Sequence, residues 1–381
     1  MSAAEDYVLL GLRLGRHVDG LVDSYCGPPE LAEQVEAEPL ADPAELVAQG
    51  DALVGALEDG WLRDQAVGLR TYAGVLAGEG LSYSEEVARC YGVRPSRPDT
   101  SAYEAVHAQL DGLLPGTGDL AERYEAWRQA NIVPAEELVP VFRDLLGELR
   151  ARTVQIVDLP RGEALDVEEV RDEPWWAFNY YLGGLRSRVV INLDVPTTRD
   201  DLVELVAHEV YPGHHTEHAS KEQLLLREQG QIEESIQLVP TPAALVSEGI
   251  AETGPDLVVD TATAERLAEI FRSHGLEYDR DAAHAVREAR RPVRGIGVDA
   301  ALMIHEDGAT IEEAEAYVRR WALTTPEQAA HSVRFVTDPT WRAYVINYSA
   351  GRELVHRWVG GDPARFARLL TEHVRVGDLL A

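Results

Sequence analysis

Cysteine is nearly missing from this 381-residue chain, which holds only Cys26 and Cys90. Two cysteines exclude a disulfide framework and a cysteine-based zinc cluster, and they fit a reducing cytoplasm. Long apolar runs are missing too: no stretch approaches the roughly 18 residues that a membrane-spanning helix needs. The start, Met1-Ser2-Ala3-Ala4-Glu5-Asp6-Tyr7, has no basic leader, so no signal peptide is expected. Basic residues are scarce, with 35 Lys and Arg against 66 Asp and Glu. The resulting net charge of −31 argues against nucleic acid and against anionic membranes as partners. One island of positive charge stands out, Arg287, Arg290, Arg291 and Arg294. Repeats, low-complexity blocks and linkers rich in Pro, Gly or Ser are also lacking. A single domain over 1–381 is therefore expected, and nothing in the sequence speaks to its oligomeric state.

Most of what is present reads as helix. Apolar residues recur at three-to-four spacing over 5–24, 44–59, 62–77, 82–92, 101–112 and 119–130, and Pro134 opens a further helix to Leu149. Short strands are expected at 154–157, 175–181 and 188–193. Thr197 or Thr198 caps the next helix, whose first turn is acidic (Asp200, Asp201, Glu204). After about 260 the chain is helical again, ending in an amphipathic tail at 363–376. The fold class is mainly α with a small antiparallel β-sheet. Residues 1–150 form a helical N-terminal part, and 151–381 carry the chemistry.

Four of the 12 histidines, His208, His214, His215 and His218, lie close together, and Glu209 follows the first. Imidazoles with an adjacent carboxylate supply zinc ligands and a general base. The usual zincin helix needs H-E-x-x-H, yet position 212 is proline. A regular helix turns about 100° per residue, so His214 would point away from His208. Pro212-Gly213 permits a local bulge that absorbs two residues and moves His214 into the missing slot. His215 is the rival second ligand, and the i, i+4 pair His214 and His218 competes as well. A third ligand fits on the helix begun by Pro242, with Glu248 as ligand and Glu252, one turn on, bracing a histidine. The strand at 188–193 suits an edge strand that holds an extended substrate.

The run His208-Glu209-Val210-Tyr211-Pro212-Gly213-His214-His215 followed by Glu248-Gly249-Ile250-Ala251 resembles the DUF885 family of bacterial, gluzincin-like zinc metallopeptidases. Tyr348-Ser349-Ala350-Gly351 and His305-Glu306-Asp307-Gly308 match two further family elements, in order, across 175–360. The chain departs from the family at Glu217, Ile250 and Ala301. The resemblance implies a gluzincin-like architecture with a helix-walled cleft. It also implies a Zn²⁺ cofactor held by His208, His214 and Glu248, with Glu252 and His215 behind the ligands. Glu209 would then be the general base, Tyr348 the oxyanion donor with His305 behind it, and Arg352 a partner for a substrate carboxylate, with Arg290, Arg291 and Arg294 as its rivals. The expected function is hydrolysis of a peptide or small amide, by a carboxypeptidase or dipeptidase. Rival readings are an amide hydrolase of a specialised small-molecule pathway and a non-catalytic, metal-stabilised binding protein.

Overall fold

The computed structural model describes residues 2–173 and 176–381. Helices dominate, and among the described residues they gather around three large apolar cores, with a small fourth at Tyr181, Leu185 and Ala219. Helices Ala3–Gly15, Pro43–Ala56 and Trp61–Leu76 bury Tyr7, Leu10, Leu14, Leu46 and Leu69 in the first, which also takes Ile236 and Leu238. Helices Ala135–Thr153 and Arg199–Glu209 build the second from Phe142, Leu145, Leu202 and Val206, with Val189 and Ile191 of the sheet. The third holds Leu245, Val246 and Ile250 of helix Pro242–Val258 together with Val355, Phe366 and Leu369 near the C-terminus.

Among the described residues five short strands complete the fold: β1 (Val22–Tyr25), β2 (Ala164–Val170), β3 (Ala177–Gly183), β4 (Arg186–Asn192) and β5 (Ile236–Leu238). The expected mainly helical fold with a small antiparallel sheet is what the chain adopts. β3 and β4 pair antiparallel, while β2 joins the far side of β4 in parallel, giving the order β2-β4-β3. β1 and β5 form a separate antiparallel pair. Their register steps from Val22↔Leu238 to Ser24↔Gln237, so Asp23 is an extra residue, a β-bulge.

Several local expectations need correction. The strand expected at 154–157 is a turn that continues helix Ala135–Thr153, because the Val157 N–H bonds back to Thr153 O and Ile156 packs against both neighbouring cores. The helix expected over 5–24 stops at Gly15. Gly20 turns the chain with φ 77°, and β-branched Val22 then enters β1. The tail breaks into Pro363–Thr371 and Val376–Leu380, since Glu372 is extended. β4 is the central strand and cannot add a substrate to its edge; the edge strands are β2 and β3. Trp175 of the expected 175–181 strand lies outside the described residues. No helix among the described residues is long and apolar enough to cross a membrane.

Candidate metal centre

Helix Arg199–Glu209 starts on a capping box, Thr198 with Asp201, and its last turn presents His208 and Glu209. The chain then leaves the helix over Val210-Tyr211-Pro212, with a cis Tyr211–Pro212 peptide, and starts a new helix, His214–Lys221. Hydrogen bonds count the inserted residues. Gly213 N–H donates to Ala207 O, and Thr216 N–H to Val210 O, each six residues back instead of four. Two residues are thus absorbed. Gly213 is required there by contact, because a Cβ on it would stand 1.8 Å from His208 O.

The kink brings His208 Nε2 to 3.2 Å from His214 Nε2. Glu248 Oε2 lies 3.5 Å from His208 Nε2, and Glu248 Oε1 lies 3.7 Å from His214 Nε2. A tetrahedral ion with bonds near 2.1 Å has ligand–ligand edges of about 3.4 Å, so the three groups fit zinc. They are the group of potential ligands that converges among the described residues, and Glu248 Oε2 is buried with no hydrogen-bond partner there. Such an orphaned acceptor is what a cation would satisfy.

The side chains behind these groups set the tautomer of His214. Ser247 Oγ donates to Glu217 Oε2 at 2.6 Å, so it accepts from His214 Nδ1–H at 3.2 Å, which leaves the Nε2 lone pair free. Lys221 holds the far oxygen of Glu217 at 2.6 Å. Glu252 Oε1 faces His208 Nδ1 at 3.6 Å and is itself held by Arg294. Tyr344 OH donates to Glu248 Oε1 at 2.6 Å. Sequence reasoning missed Ser247, Tyr344 and the role of Glu217; the signal lay in the departure of Glu217 from the family pattern.

His215 is not a ligand. It is fully buried, with Nδ1 2.8 Å from Ser187 Oγ and Nε2 2.9 Å from Glu163 Oε2. Glu163 also accepts from Tyr211 OH at 2.7 Å and pairs with Arg150, so it ties both ends of the kink to the sheet. His218 stacks on His214 at 6.0 Å and adds no third nitrogen to the cluster. His305 is a correction: its Nε2 is 2.8 Å from Val336 O, its ring stacks on Tyr83, and it lines neither cavity at the metal cluster. Arg352 is another, because it donates to Glu252 O at 3.1 Å and Asp256 Oδ2 at 2.9 Å, locking two helices together instead of awaiting a substrate. Tyr348 does reach the site. Its segment Asn347–Gly351 is a π-helical turn, brought close by Gly249 and Gly351, where a Cβ on either would meet backbone oxygen at 2.5 Å.

Electrostatics reflect three carboxylates around two imidazoles. Burial works against the His208 imidazolium, yet Glu252, Glu248 and Glu209 push its pKa up to about 10. Burial, with the His208 charge beside it, drives His214 well below the usual histidine value. Burial pushes Glu248 up to about 7 and raises Glu209, whereas His208 and Arg294 overcome burial and hold Glu252 at about 2. Burial and then the charge of Glu209 lift Asp23 to about 6. A divalent cation would offset this accumulation of negative charge.

Two cavities meet at the cluster, both lined by Ala177, His208, Glu209 and Tyr348. The smaller, about 150 Å³, is also lined by Asp23, Phe178, Leu238, Val239 and Trp341. The larger, about 730 Å³, runs past Trp127, Trp176, Arg287, Arg290 and Arg294. Of the basic island, Arg287 pairs with Asp200 and Glu204, Arg291 with Glu288, and Arg294 with Glu204 and Glu252. Arg290 has no carboxylate partner among the described residues and lies over Tyr124.

No protein-family model matches the chain, and no curated protein does. Its fold is similar to that of a solved "putative lipoprotein" from Colwellia psychrerythraea, with a TM-score of 0.56 and 16% identity, covering 92% of this chain and 64% of that one. The chain therefore spans less than two thirds of that protein. A "putative lipoprotein of unknown function" from Shewanella oneidensis matches at a TM-score of 0.50 and 15% identity, over 99% of this chain and 72% of that one. At such identities the likeness is one of fold alone.

Proposed function

We propose that the chain is a zinc-dependent hydrolase of peptide or amide bonds. The observation that carries this reading is the convergence of His208, His214 and Glu248 beside Glu209, whose carboxylate faces the same cavity and makes no hydrogen bond among the described residues. Zinc held by the three ligands would acidify a water and polarise the scissile carbonyl. Glu209 accepts the proton of the attacking water and returns it to the leaving amine. The Tyr348 hydroxyl, without a hydrogen-bond partner among the described residues, donates to the oxyanion as it develops. Tyr344 and Glu252 hold ligands in place and move no proton. A purely structural zinc needs no unpaired carboxylate beside a ligand, which favours catalysis over a binding role. Arg352 no longer supports the carboxypeptidase reading, because it is spent on Asp256 and Glu252 O; of its rivals, Arg290 lines the larger cavity without a carboxylate partner among the described residues.

Metal content and turnover test the reading together. Purified wild type is expected to bind one zinc, His208→Ala and Glu248→Ala to lose it, and Glu209→Gln to keep it while losing hydrolysis of a panel of dipeptides and N-acyl amino acids. Equal metal in all four proteins would remove the ligand assignment, and turnover retained in Glu209→Gln would remove the base.

A further inference from the structure

Asp23 is a carboxylate with nothing to do in the free protein. It has no hydrogen bond or ion pair among the described residues, a lack it shares there with Glu209, the proposed base, whereas Glu217 is matched with Lys221, Glu234 with His373 and Glu252 with Arg294. The bulge in β1 leaves it outside the strand pairing and turns it into the cavity that holds Glu209. Bulges recur beside active sites because the extra residue re-aims one side chain. An enclosed, unpaired carboxylate is costly unless something positive comes to it.

A second metal ion is a poor candidate, since the ligand group that converges among the described residues is the His208, His214 and Glu248 set alone. The remaining source of positive charge is the substrate. The cavity on the Asp23 side is small, about 150 Å³, room for one modest residue, while the cavity on the other side of Glu209 measures about 730 Å³. We infer that Asp23 binds the free ammonium group of the substrate, so that one residue occupies the small cavity and cleavage falls just after it. The protein is then an aminopeptidase or dipeptidase, with the rest of the substrate lying in the larger cavity. This inference rests on the hydrolase reading and deepens it.

Zinc-loaded wild type and Asp23→Asn are compared on L-alanyl-4-nitroanilide and its N-acetyl derivative, with metal content and Tm recorded for both proteins. Wild type is expected to prefer the free amine strongly. Asp23→Asn is expected to lose about 10- to 100-fold in kcat/KM on that substrate, mostly as raised KM, the worth of one charged hydrogen bond. Its metal content and its rate on the acetylated substrate should barely change. Equal kcat/KM for the two substrates in wild type, or a preference undiminished in the variant, overturns the inference. Calorimetric binding of L-alaninamide against N-acetyl-L-alaninamide separates it from the hydrolase reading. Amine-dependent binding that Asp23→Asn abolishes, without hydrolysis of either nitroanilide, supports the amine site and sinks the hydrolase alone; equal binding of both amides overturns the amine site.

Discussion

At the scale of single residues, Ser247 decides which nitrogen of His214 is offered to a metal. Its hydroxyl has one proton, which goes to Glu217, so toward His214 it can only accept. The imidazole must then carry its proton on Nδ1, and Nε2 is left bare toward Glu248 and His208. Ser247→Ala removes the acceptor and lets the ring change tautomer or rotate. Zinc affinity, measured by competition with a chelator, is expected to fall about 10- to 100-fold, the usual effect of losing an outer hydrogen-bond partner. The melting temperature of the metal-free protein should stay near that of wild type; unchanged affinity would mean that Glu248 and His208 fix the site without the relay. The convergence of His208 and His214 was legible in the sequence because a His-Glu pair, a Pro-Gly break and a second His occupy one short stretch. Ser247, Tyr344 and Glu163 were not, since each works on a residue far along the chain, and neither was Asp23, which has no partner among the described residues; a lone serine, tyrosine or acid has no spacing to read.

Among the elements, the kink between Arg199–Glu209 and His214–Lys221 carries the design. A continuous helix cannot put His208 and His214 on one face. Absorbing two residues can, provided the chain passes close over the preceding turn, and Gly213 is where it passes. In Gly213→Ala the methyl would overlap His208 O, the backbone of a ligand, and the neighbours there are main-chain atoms that cannot swing aside. We expect a stability loss above about 4 kcal/mol, or no folded protein, with loss of zinc binding in any soluble fraction. Denaturant unfolding and metal analysis check this; a variant with wild-type stability and metal content would refute the contact argument. The looped-out pair was legible because proline and glycine announce it. The sheet was read less well. The apolar run at 154–157 fits a strand and a helix end equally, and tertiary packing chose the helix end. Which strand lies at an edge depends on pairing, and pairing is not written in the pattern of any one strand.

Over the whole molecule, each apolar core contributes one part of the site. Helix Arg199–Glu209 brings His208 and Glu209 from the core of Leu202 and Val206, and helix Pro242–Val258 brings Glu248 and Glu252 from the core of Leu245 and Ile250. The β1–β5 pair brings Asp23 from the N-terminal core, through Leu238 and Ile236. The cluster sits where these bodies meet, and in the absence of metal it gathers Glu209, Glu248 and Glu252 in a low-dielectric space. Zinc bound there would cross-link two cores and cancel charge at the same place. Binding to the folded state alone adds about 2.7 kcal/mol of stability when free metal stands at 100 times its Kd. Thermal unfolding with and without a chelator is therefore expected to show a Tm that rises with zinc concentration in wild type. The same titration on His208→Ala should show no rise, because one leg of the cross-link is gone. Asp23→Asn should keep the rise, since its carboxylate stands apart from the converging ligands. A zinc-dependent shift of equal size in His208→Ala would mean that the ion stabilises the protein from some other place, and the cluster would lose its claim to join the cores.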